Sequence, residues 1–396
     1  MATNASRPPS VAGNPEVFPI LETGVFLDHA AVAPLPRPVA DAMRRFVDDW
    51  SQRGPQPWAY ARIVALKEAA ARLAGAASRD EVAIMPNTSS GLATVALGLD
   101  LGQGDTVVTT AIEFPSNRYV WDDRVRAGVR LVAVPPADGG CLMRDEDIVR
   151  AMREAFPSTR GTRLLAISHV QFSTGQRHDL AQLADEAHRL GGLVCVDAIQ
   201  SLGQVPFRMR EWGIDFVSAD GHKWMLGPEG TGVLIVCHEH FERLRPPIVG
   251  WLNTANAMDY DRYDRSFAET ARRYEPGAHA MVGVVGMAAA LELLLEEGLD
   301  RIEPQVEALA GRLADGVRSA GVAVASPHDP GRGSGIVAIR PPAGIDLQAW
   351  FAAIQEHGVR GAVRRGFLRL SPHFYNTAEQ IDQAIAGVAA ARARMA

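Results

Sequence analysis

The stretch Ser218-Ala-Asp-Gly-His-Lys-Trp-Met-Leu-Gly-Pro-Glu-Gly-Thr-Gly232 links two short apolar runs and carries Lys223 beside a histidine and a glycine-rich turn. Asp197 stands 26 positions earlier (223 − 197), at the end of the apolar run Leu193-Val-Cys-Val-Asp. Short apolar runs are typical of strands buried in parallel sheets, and open α/β sheets bind ligands outside the carboxyl ends of such strands. The stretch therefore predicts an α/β fold with a polar site at one edge of its sheet.

The surrounding chain extends this pattern, because β-branched runs alternate with amphipathic segments from residue 81 to residue 236. We predict a large domain, residues 21–280, with a mainly parallel sheet covered by helices. Its predicted strands are residues 82–85, 106–110, 131–134, 164–168, 193–196, 216–218 and 233–236. Residues 1–20 are rich in Pro, Ser and Asn and predict a flexible leader that precedes this domain.

A second cluster of patterns follows a helix predicted near residues 282–297. It predicts a smaller α+β domain, residues 281–396, on which part of the N-terminal segment packs. The predicted strands of this domain are residues 321–325, 335–339 and 367–370, and its predicted helices are residues 347–356 and 377–394.

Composition excludes several classes of function. The 46 acidic and 40 basic residues are spread along the chain, so no basic block predicts nucleic-acid binding. The longest apolar run, residues 281–291, is too short to span a bilayer, and no membrane partner is expected. The three cysteines are widely spaced, without a metal-like or disulfide-like pattern. We expect a cytoplasmic protein without a metal site.

Lys223 and Asp197 are the pair of side chains that pyridoxal 5'-phosphate (PLP) chemistry needs. A lysine amine forms a Schiff base with the cofactor aldehyde and then transfers protons, while a carboxylate keeps the pyridine nitrogen protonated so that the ring accepts electrons. Taken singly, Asp197 could cap a helix and Lys223 could be a surface lysine. With Gln200, Asp220 and His222 in the same region, they predict a PLP site in which Lys223 is catalytic.

A phosphate site is predicted where the strand at residues 82–85 meets a helical stretch. The turn Pro86-Asn-Thr-Ser-Ser-Gly91 lies between them and offers backbone N–H groups together with the hydroxyls of Ser89 and Ser90. Such turns bind anions at helix amino termini. The alternative is that one of these serines simply caps the helix.

In their shared order, the motifs of this chain resemble those of class V, fold-type-I PLP enzymes of the cysteine desulfurase and selenocysteine lyase branch. The resemblance runs through Phe26-Leu-Asp-His-Ala-Ala31, Pro86-Asn-Thr-Ser-Ser-Gly91, Ile112-Glu-Phe-Pro-Ser-Asn117, Val196-Asp-Ala-Ile-Gln200, Gly221-His-Lys223, Tyr274-Glu-Pro-Gly277 and Arg369-Leu-Ser-Pro-His-Phe-Tyr-Asn-Thr377. It implies a fold-type-I PLP-dependent transferase fold and a homodimer with active sites at the subunit interface.

The resemblance also implies individual roles. Lys223 matches the Schiff-base lysine, Asp197 the partner of the pyridine nitrogen, and Gln200 the residue near the phenolic oxygen of the ring. The expected phosphate contacts are Ser89, Ser90 and His222. Arg369 matches the arginine that holds the substrate's α-carboxylate, for which its planar fork of donors is suited; the alternative is a salt bridge at a strand edge.

Several positions depart from the family's desulfurases. Those enzymes carry a nucleophilic cysteine just before the matching arginine, whereas residues 352–369 contain none. This disfavours persulfide-forming desulfuration. Phe114 or Pro115 stands where desulfurases stack a histidine on the cofactor ring. His279 lies in the segment from which, by the resemblance, the second subunit is expected to contact the phosphate.

The segment His169-Val-Gln-Phe-Ser-Thr-Gly-Gln-Arg-His-Asp179 differs as well, and its Thr-Gly-Gln resembles kynureninase. Gln171 is expected beside the ring oxygen. Arg177 or His178 is expected to reach towards the substrate, with an exposed loop position as the alternative for both.

We therefore expect chemistry at Cα of an amino acid, with β-elimination from a cysteine-like substrate (a C–S or C–Se lyase) as the favoured outcome. A class V aminotransferase is the first alternative. An epimerase, a kynureninase-like hydrolase and a PLP-binding protein without turnover are further alternatives.

Overall fold

In the computed structural model, described for residues 8–137, 140–263, 265–327, 329 and 331–395, a seven-stranded sheet forms the centre of the protein. The strands, numbered along the chain, are β1 (Val25–Phe26), β2 (Val82–Met85), β3 (Thr106–Thr110), β4 (Arg130–Val134), β5 (Arg163–Ser168), β6 (Leu193–Asp197), β7 (Phe216–Asp220), β8 (Gly232–Val236), β9 (Val337–Ile339), β10 (Val359–Arg360), β11 (Ala362–Arg364) and β12 (Phe367–Leu370). The helices are α1 (Arg37–Arg53), α2 (Pro57–Ala74), α3 (Thr88–Gly98), α4 (Ser116–Val125), α5 (Asp145–Ala155), α6 (Leu180–Arg189), α7 (Met281–Glu297), α8 (Leu299–Ser319), α9 (Leu347–Gln355) and α10 (Ala378–Met395).

The strand order of the central sheet is β2-β8-β7-β6-β5-β3-β4. Strand β8 runs antiparallel to both of its neighbours, and the other pairs are parallel, so the prediction of a mainly parallel α/β sheet is confirmed. Every residue of β6, β7 and β8 is buried because helices cover both faces. Alternate residues of β6 enter two different hydrophobic clusters: Val194 and Val196 enter one, and Cys195 enters the other.

The seven strands predicted for this sheet all occur, with bounds that differ by at most two residues. The exact ends depend on pairing: Asp220 extends β7 because it pairs with Gly232 of β8. A polar residue at a strand end carries no hydrophobic signal, so the pattern alone stops short of it.

The C-terminal region builds a three-stranded sheet, β11-β12-β9, on which α8, α9 and α10 pack. Residues 321–325, all described, form an isolated bridge between Val324 and Ile339 instead of the predicted strand. The prediction is wrong here because Gly321, at a φ of +74°, still belongs to the turn that ends α8. Strand β1 pairs with β10, which attaches an N-terminal segment to this region.

Helix α7 contains the long apolar run and packs against α1 and α2 in the main hydrophobic cluster. Its burial on nearly all sides explains its composition. No helix in the described ranges is both long enough and apolar enough to cross a membrane. Because α7 packs with the large sheet, we propose that the domain division falls between Glu297 and Leu299, after the predicted boundary at residue 281.

The predicted leader lies partly outside the described residues, which begin at residue 8. From there to residue 20 the segment makes several contacts with the rest of the protein. The Phe18 ring is buried and stacks on Tyr375 at 3.9 Å between centroids, and the Ser10 hydroxyl donates to Glu297 at 2.7 Å. A buried aromatic ring and a few hydrogen bonds thus attach a segment whose composition is otherwise polar.

Candidate active site

The predicted site lies at the carboxyl ends of the parallel strands. Asp197 ends β6 and Asp220 ends β7, and Lys223 follows in the connection to β8. Asp197 is 2% exposed and Lys223 is 7% exposed. The Lys223 ammonium nitrogen lies 5.4 Å from the centroid of the Phe114 ring, so one face of that ring looks onto the lysine. Phe114, rather than Pro115, thus presents an aromatic face where the sequence predicts a stacked ring.

Burial changes the ionisation of both key groups. It raises the pKa of Asp197 to about 7, an effect opposed by the Ile199 N–H and Lys223 and reinforced by Glu113. It also lowers the pKa of Lys223 to about 8, although the Asp197 carboxylate acts in the opposite direction. A lysine with a pKa in this range supplies free amine near neutral pH, which is what a nucleophile and proton carrier requires.

The candidate phosphate end is the amino terminus of α3. The Asn87 side chain caps the helix by accepting from the Ser90 N–H at 2.9 Å, and the Ser90 hydroxyl donates to the same oxygen. The Ser89 hydroxyl is exposed and lies 2.7 Å from that of Ser116 at the start of α4. The Thr88 hydroxyl accepts from the Asp220 N–H, which holds this helix end against β7. Asn87 is therefore the cap, and Ser89 keeps its hydroxyl at the surface.

The Gln200 amide connects two segments around the site. Its nitrogen donates to the Ala30 carbonyl at 2.9 Å, and its oxygen accepts from the Trp224 indole at 2.8 Å. One amide hydrogen remains for a ligand. The predicted contact with a ring oxygen is compatible with that hydrogen, but the other bonds give Gln200 a structural role that the motif did not reveal.

Arg369 lies in β12 and is 1% exposed. It donates to the Phe172 carbonyl at 2.7 Å and lies 3.5 Å from a carboxylate oxygen of Asp28. Burial lowers the pKa of Arg369 to about 10, while Asp28 raises it. Burial raises the pKa of Asp28, against the effect of Arg369 and of the more distant Arg364. Arg369 is thus a buried guanidinium with one loosely held carboxylate, which suits an exchange for a ligand carboxylate.

Unsatisfied polar atoms concentrate around this site. Of the eight buried side-chain atoms without a hydrogen-bond partner in the described part of the chain, four lie here: Gln171 Oε1, Asp220 Oδ1, Arg369 Nε and His222 Nδ1, the last of which lies 3.1 Å from Asp220 Oδ2 but is not aligned for a hydrogen bond. Buried polar atoms in folded proteins are normally paired, so such a group indicates a place for a ligand. A buried lysine, a carboxylate for a ring nitrogen and a helix amino terminus fit PLP.

The sequence left three roles open, those of Arg177, His178 and His279, and each of these side chains has a partner within the protein. Arg177 donates to Glu303 of α8 at 2.7 Å, and His178 Nδ1 lies 2.6 Å from Asp145. Neither side chain is offered to a substrate at the Lys223 end, because Arg177 faces α8 and the other nitrogen of His178 faces Gln171 at 3.4 Å.

His279 lies 3.2 Å from Glu275, which also holds Lys67 at 2.7 Å. Lys67 and Lys223 are the two lysines of the chain. Because Lys67 is engaged by a buried carboxylate, Lys223 is the lysine available for cofactor chemistry in this fold.

The cysteines lie away from the site. Cys195 and Cys237 are buried, which raises the pKa of both thiols, that of Cys237 to about 12. Cys141 is half-buried beside Arg340. Before Arg369, strands β11 and β12 are joined by the two residues Arg365 and Gly366, both at positive φ. Such a tight hairpin leaves no loop there to carry a thiol.

Sequence reasoning missed several residues of the site. Glu113 lies near Asp197 and accepts five hydrogen bonds. The carbonyl of Phe172 accepts a hydrogen bond from Arg369, and its ring centroid lies 5.1 Å from that of Phe114. Asp28 and Glu113 stand inside the motifs Phe26-Leu-Asp-His and Ile112-Glu-Phe, where an acid beside apolar residues was the available signal.

Comparisons with known proteins find similar sequences along nearly the whole chain. The sequence profile of the family described as "Aminotransferase class-V" matches residues 25–384. The "Uncharacterized aminotransferase YcbU" of Bacillus subtilis is 30% identical over 377 residues, which cover 95% of this chain and 96% of that protein. A "Probable cysteine desulfurase" of Pyrococcus abyssi is 27% identical and covers 92% of this chain and 93% of its own length.

Among solved structures, the apo cysteine desulfurase of Thermococcus onnurineus NA1 matches with a TM-score of 0.83 at 26% identity, over 95% of this chain and 96% of that one. The fold-type-I architecture is therefore confirmed, and so is the resemblance seen in the motifs. The chain belongs to the class V aminotransferase family, in its cysteine desulfurase-like part, and its cofactor is PLP.

Proposed function

We propose that this protein catalyses β-elimination from a cysteine-like amino acid, with Lys223 as the catalytic base and Arg369 as the carboxylate anchor. The observation that carries the proposal is the buried pair of Lys223 and Asp197, close to an arginine whose Nε has no partner. PLP supplies an electron sink, which stabilises negative charge at Cα of a bound amino acid.

The residues divide the work as follows. Arg369 takes the α-carboxylate in place of its contact with Asp28, and this holds Cα near the lysine amine. Lys223 accepts the Cα proton, because its lowered pKa leaves a fraction of the amine free at neutral pH. The bond from Cβ to sulfur then breaks, and the electron pair leaves with the sulfur as a thiolate or sulfide. Water releases the remaining three-carbon unit as pyruvate and ammonium.

Two features support a lyase over a persulfide-forming desulfurase. The described residues place no thiol near Lys223, and the hairpin that precedes Arg369 is two residues long. Without a cysteine to accept sulfur, the sulfur has to leave with the product. The phenyl ring of Phe114 orients a cofactor but carries no titratable group to move protons.

The second candidate is an aminotransferase, which is supported by the name of the Bacillus subtilis relative. Both reactions begin with removal of the Cα proton by Lys223, and they differ in whether a group leaves Cβ. An epimerase, a hydrolase of the kynureninase type and a binding protein without turnover differ in the products that they form or fail to form.

The test is a panel of L-amino acids, including cystine, cysteine and alanine, incubated with the PLP-loaded protein in deuterium oxide. Pyruvate together with sulfide from cysteine, or with free cysteine persulfide from cystine, formed without any added keto acid, supports the lyase. A product that requires a second keto acid supports the aminotransferase. Deuterium at Cα with inversion supports an epimerase, and absence of exchange with every amino acid contradicts the enzyme proposal. A variant with all three cysteines replaced by serine or alanine should keep its turnover if the lyase proposal is correct.

We also propose a homodimer whose active sites lie at the subunit interface. Supporting it, the described residues between 248 and 263 expose a series of large apolar side chains, among them Ile248, Val249, Met258 and Tyr260. Exposed apolar patches of this kind mark interaction surfaces. Sedimentation equilibrium of the wild type against a Val249→Asp, Met258→Asp variant tests the assignment, and a monomeric wild type contradicts it.

A further inference from the structure

The carboxylate of Glu113 is held entirely by neutral donors. Its Oε1 accepts from the Thr110 hydroxyl at 2.8 Å and from Gln171 Nε2 at 3.0 Å. Its Oε2 accepts from Asn117 Nδ2 at 3.0 Å and from the N–H and hydroxyl of Ser168 at 3.1 and 2.5 Å. An ionised carboxylate only accepts, and all these groups can donate to it. Glu113 is therefore a fixed acceptor on one side of Gln171.

A second carboxylate lies on the other side. Asp145 Oδ1 is 2.6 Å from His178 Nδ1, while its Oδ2 accepts from the Asp179 N–H at 3.0 Å and from Arg332 at 3.2 Å. The Asp145 carboxylate accepts from the Nδ1–H of His178, which leaves Nε2 as the nitrogen that can accept a hydrogen bond. This acceptor faces Gln171 Nε2 at 3.4 Å.

The Gln171 amide is consequently oriented from both sides. One of its hydrogens points to Glu113 and the other to His178 Nε2, so a rotated amide would set its oxygen against a carboxylate. The amide oxygen is left over, buried and without a partner in the protein. A buried amide oxygen that stays unpaired is costly, so the ligand group placed against it has to be a hydrogen-bond donor.

Gln171 belongs to the wall of the site. The next residue, Phe172, binds Arg369 through its carbonyl, and its ring meets that of Phe114, which lies under Lys223. We propose that Glu113, His178 and Asp145 are positioning residues, which fix the amide of Gln171 so that its oxygen accepts a hydrogen bond from the bound cofactor. The inference rests on the proposed function because its ligand is PLP. The hydrogen bonds that carry it are contacts within the protein itself.

Asp145→Asn tests the chain of hydrogen bonds at the end that does not touch the ligand. Two donors, Asp179 N–H and Arg332, approach one oxygen of Asp145, so the amide of the new asparagine keeps its oxygen there and turns its NH2 towards His178. The His178 proton then moves to Nε2, where it opposes the NH2 of Gln171, so the amide loses one of its two restraints and its oxygen is held less firmly towards the ligand. Nitrogen-15 spectra of the cofactor-free protein report the position of the His178 proton directly.

The second readout is PLP itself. Asp145→Asn should raise the dissociation constant for PLP about tenfold, the effect of one buried hydrogen bond, and should shift the visible absorption band of the bound cofactor. In a Gln171→Leu background the same substitution should have no further effect, because the coupling passes through the amide.

The matched control is Asp215→Asn. Asp215 is likewise a carboxylate bonded to histidine, His188 at 3.0 Å and His240 at 2.6 Å, but it precedes β7 and so lies at the opposite end of the strands from the site. The Asp215→Asn substitution should lower the stability of the protein without changing its PLP affinity or the absorption band of the bound cofactor. An unchanged His178 proton in Asp145→Asn, or an effect on PLP that persists in full with Gln171→Leu, overturns the inference. Failure of the wild type to bind PLP overturns the proposed function instead.

Discussion

At the scale of single residues, the site depends on groups whose burial sets their ionisation. Asp197, Lys223 and Arg369 all have pKa values moved towards the neutral form by burial, and each is partly compensated by a neighbour. Desolvation of this kind clusters at catalytic sites, because it prepares a group to gain or lose a proton or to bind an ion.

Asp197 gives a pH prediction. Its pKa rises from 3.8 to about 7 in the folded protein, so between these values the native state holds a proton that the unfolded state has lost. Stability of the cofactor-free protein should therefore fall as pH rises through this window, relative to Asp197→Asn, by at most about 1.4 kcal/mol per pH unit. Urea unfolding of both proteins from pH 4 to pH 7 measures the difference. Parallel curves would show that Asp197 is not buried as described.

Arg369 gives a kinetic prediction. In Arg369→Gln, kcat/KM for an amino-acid substrate should fall roughly 100-fold, because a buried charged contact with the carboxylate is lost. PLP binding should persist. Arg394→Gln, which breaks an exposed pair with Glu356, is the control and should leave kinetics unchanged. Equal losses in the two variants would remove Arg369 from the substrate site.

At the scale of elements, the site needs α3 to lie close against β7. A side chain at Gly91 would place its Cβ 2.1 Å from the Ser218 hydroxyl, so this contact requires a glycine. The strand, turn and helix could be predicted from hydrophobic pattern and turn residues. The need for a glycine at this position could not be predicted, because the contacting residue, Ser218, lies in a strand more than a hundred residues away in sequence.

Gly91→Ala should lower the free energy of unfolding by about 1–3 kcal/mol through overpacking. Combining it with Ser218→Ala removes the nearest atom and should recover part of the loss. Gly311→Ala is the control, because its Cβ meets no atom within 4 Å in α8, and it should stabilise the protein by up to about 1 kcal/mol. Urea unfolding would contradict the packing argument if both alanine variants behaved alike.

At the scale of the whole molecule, segments distant in sequence are joined. Phe18 lies between Phe374 and Tyr375, and β1 pairs with β10, so the N-terminal part is built into the C-terminal region. The polar composition of residues 1–20 gave no sign of this, because the buried Phe18 ring and hydrogen bonds such as Gly13 N–H to the Tyr375 carbonyl are contacts with residues more than 300 positions away in sequence. The alternation of strands and helices across residues 81–236, by contrast, is local and could be read directly.

Phe18→Ala should therefore cost about 3–5 kcal/mol of stability, a value typical of a buried aromatic residue. Tyr119→Ala, at a ring that is 68% exposed, should change stability little. Guanidinium unfolding of the two variants beside the wild type makes the comparison, and a Phe18 variant as stable as the wild type would restore the prediction of a loose leader.

We propose that Lys223 carries the cofactor, and the chain has two lysines with which to test this assignment. Borohydride reduction of the PLP-loaded protein, followed by digestion and mass spectrometry, identifies the lysine that was linked to the cofactor. We predict a phosphopyridoxyl group on Lys223, none on Lys67, and loss of the visible cofactor band in Lys223→Ala. A label on Lys67, or a Lys223→Ala variant that keeps the band, would contradict the assignment of Lys223.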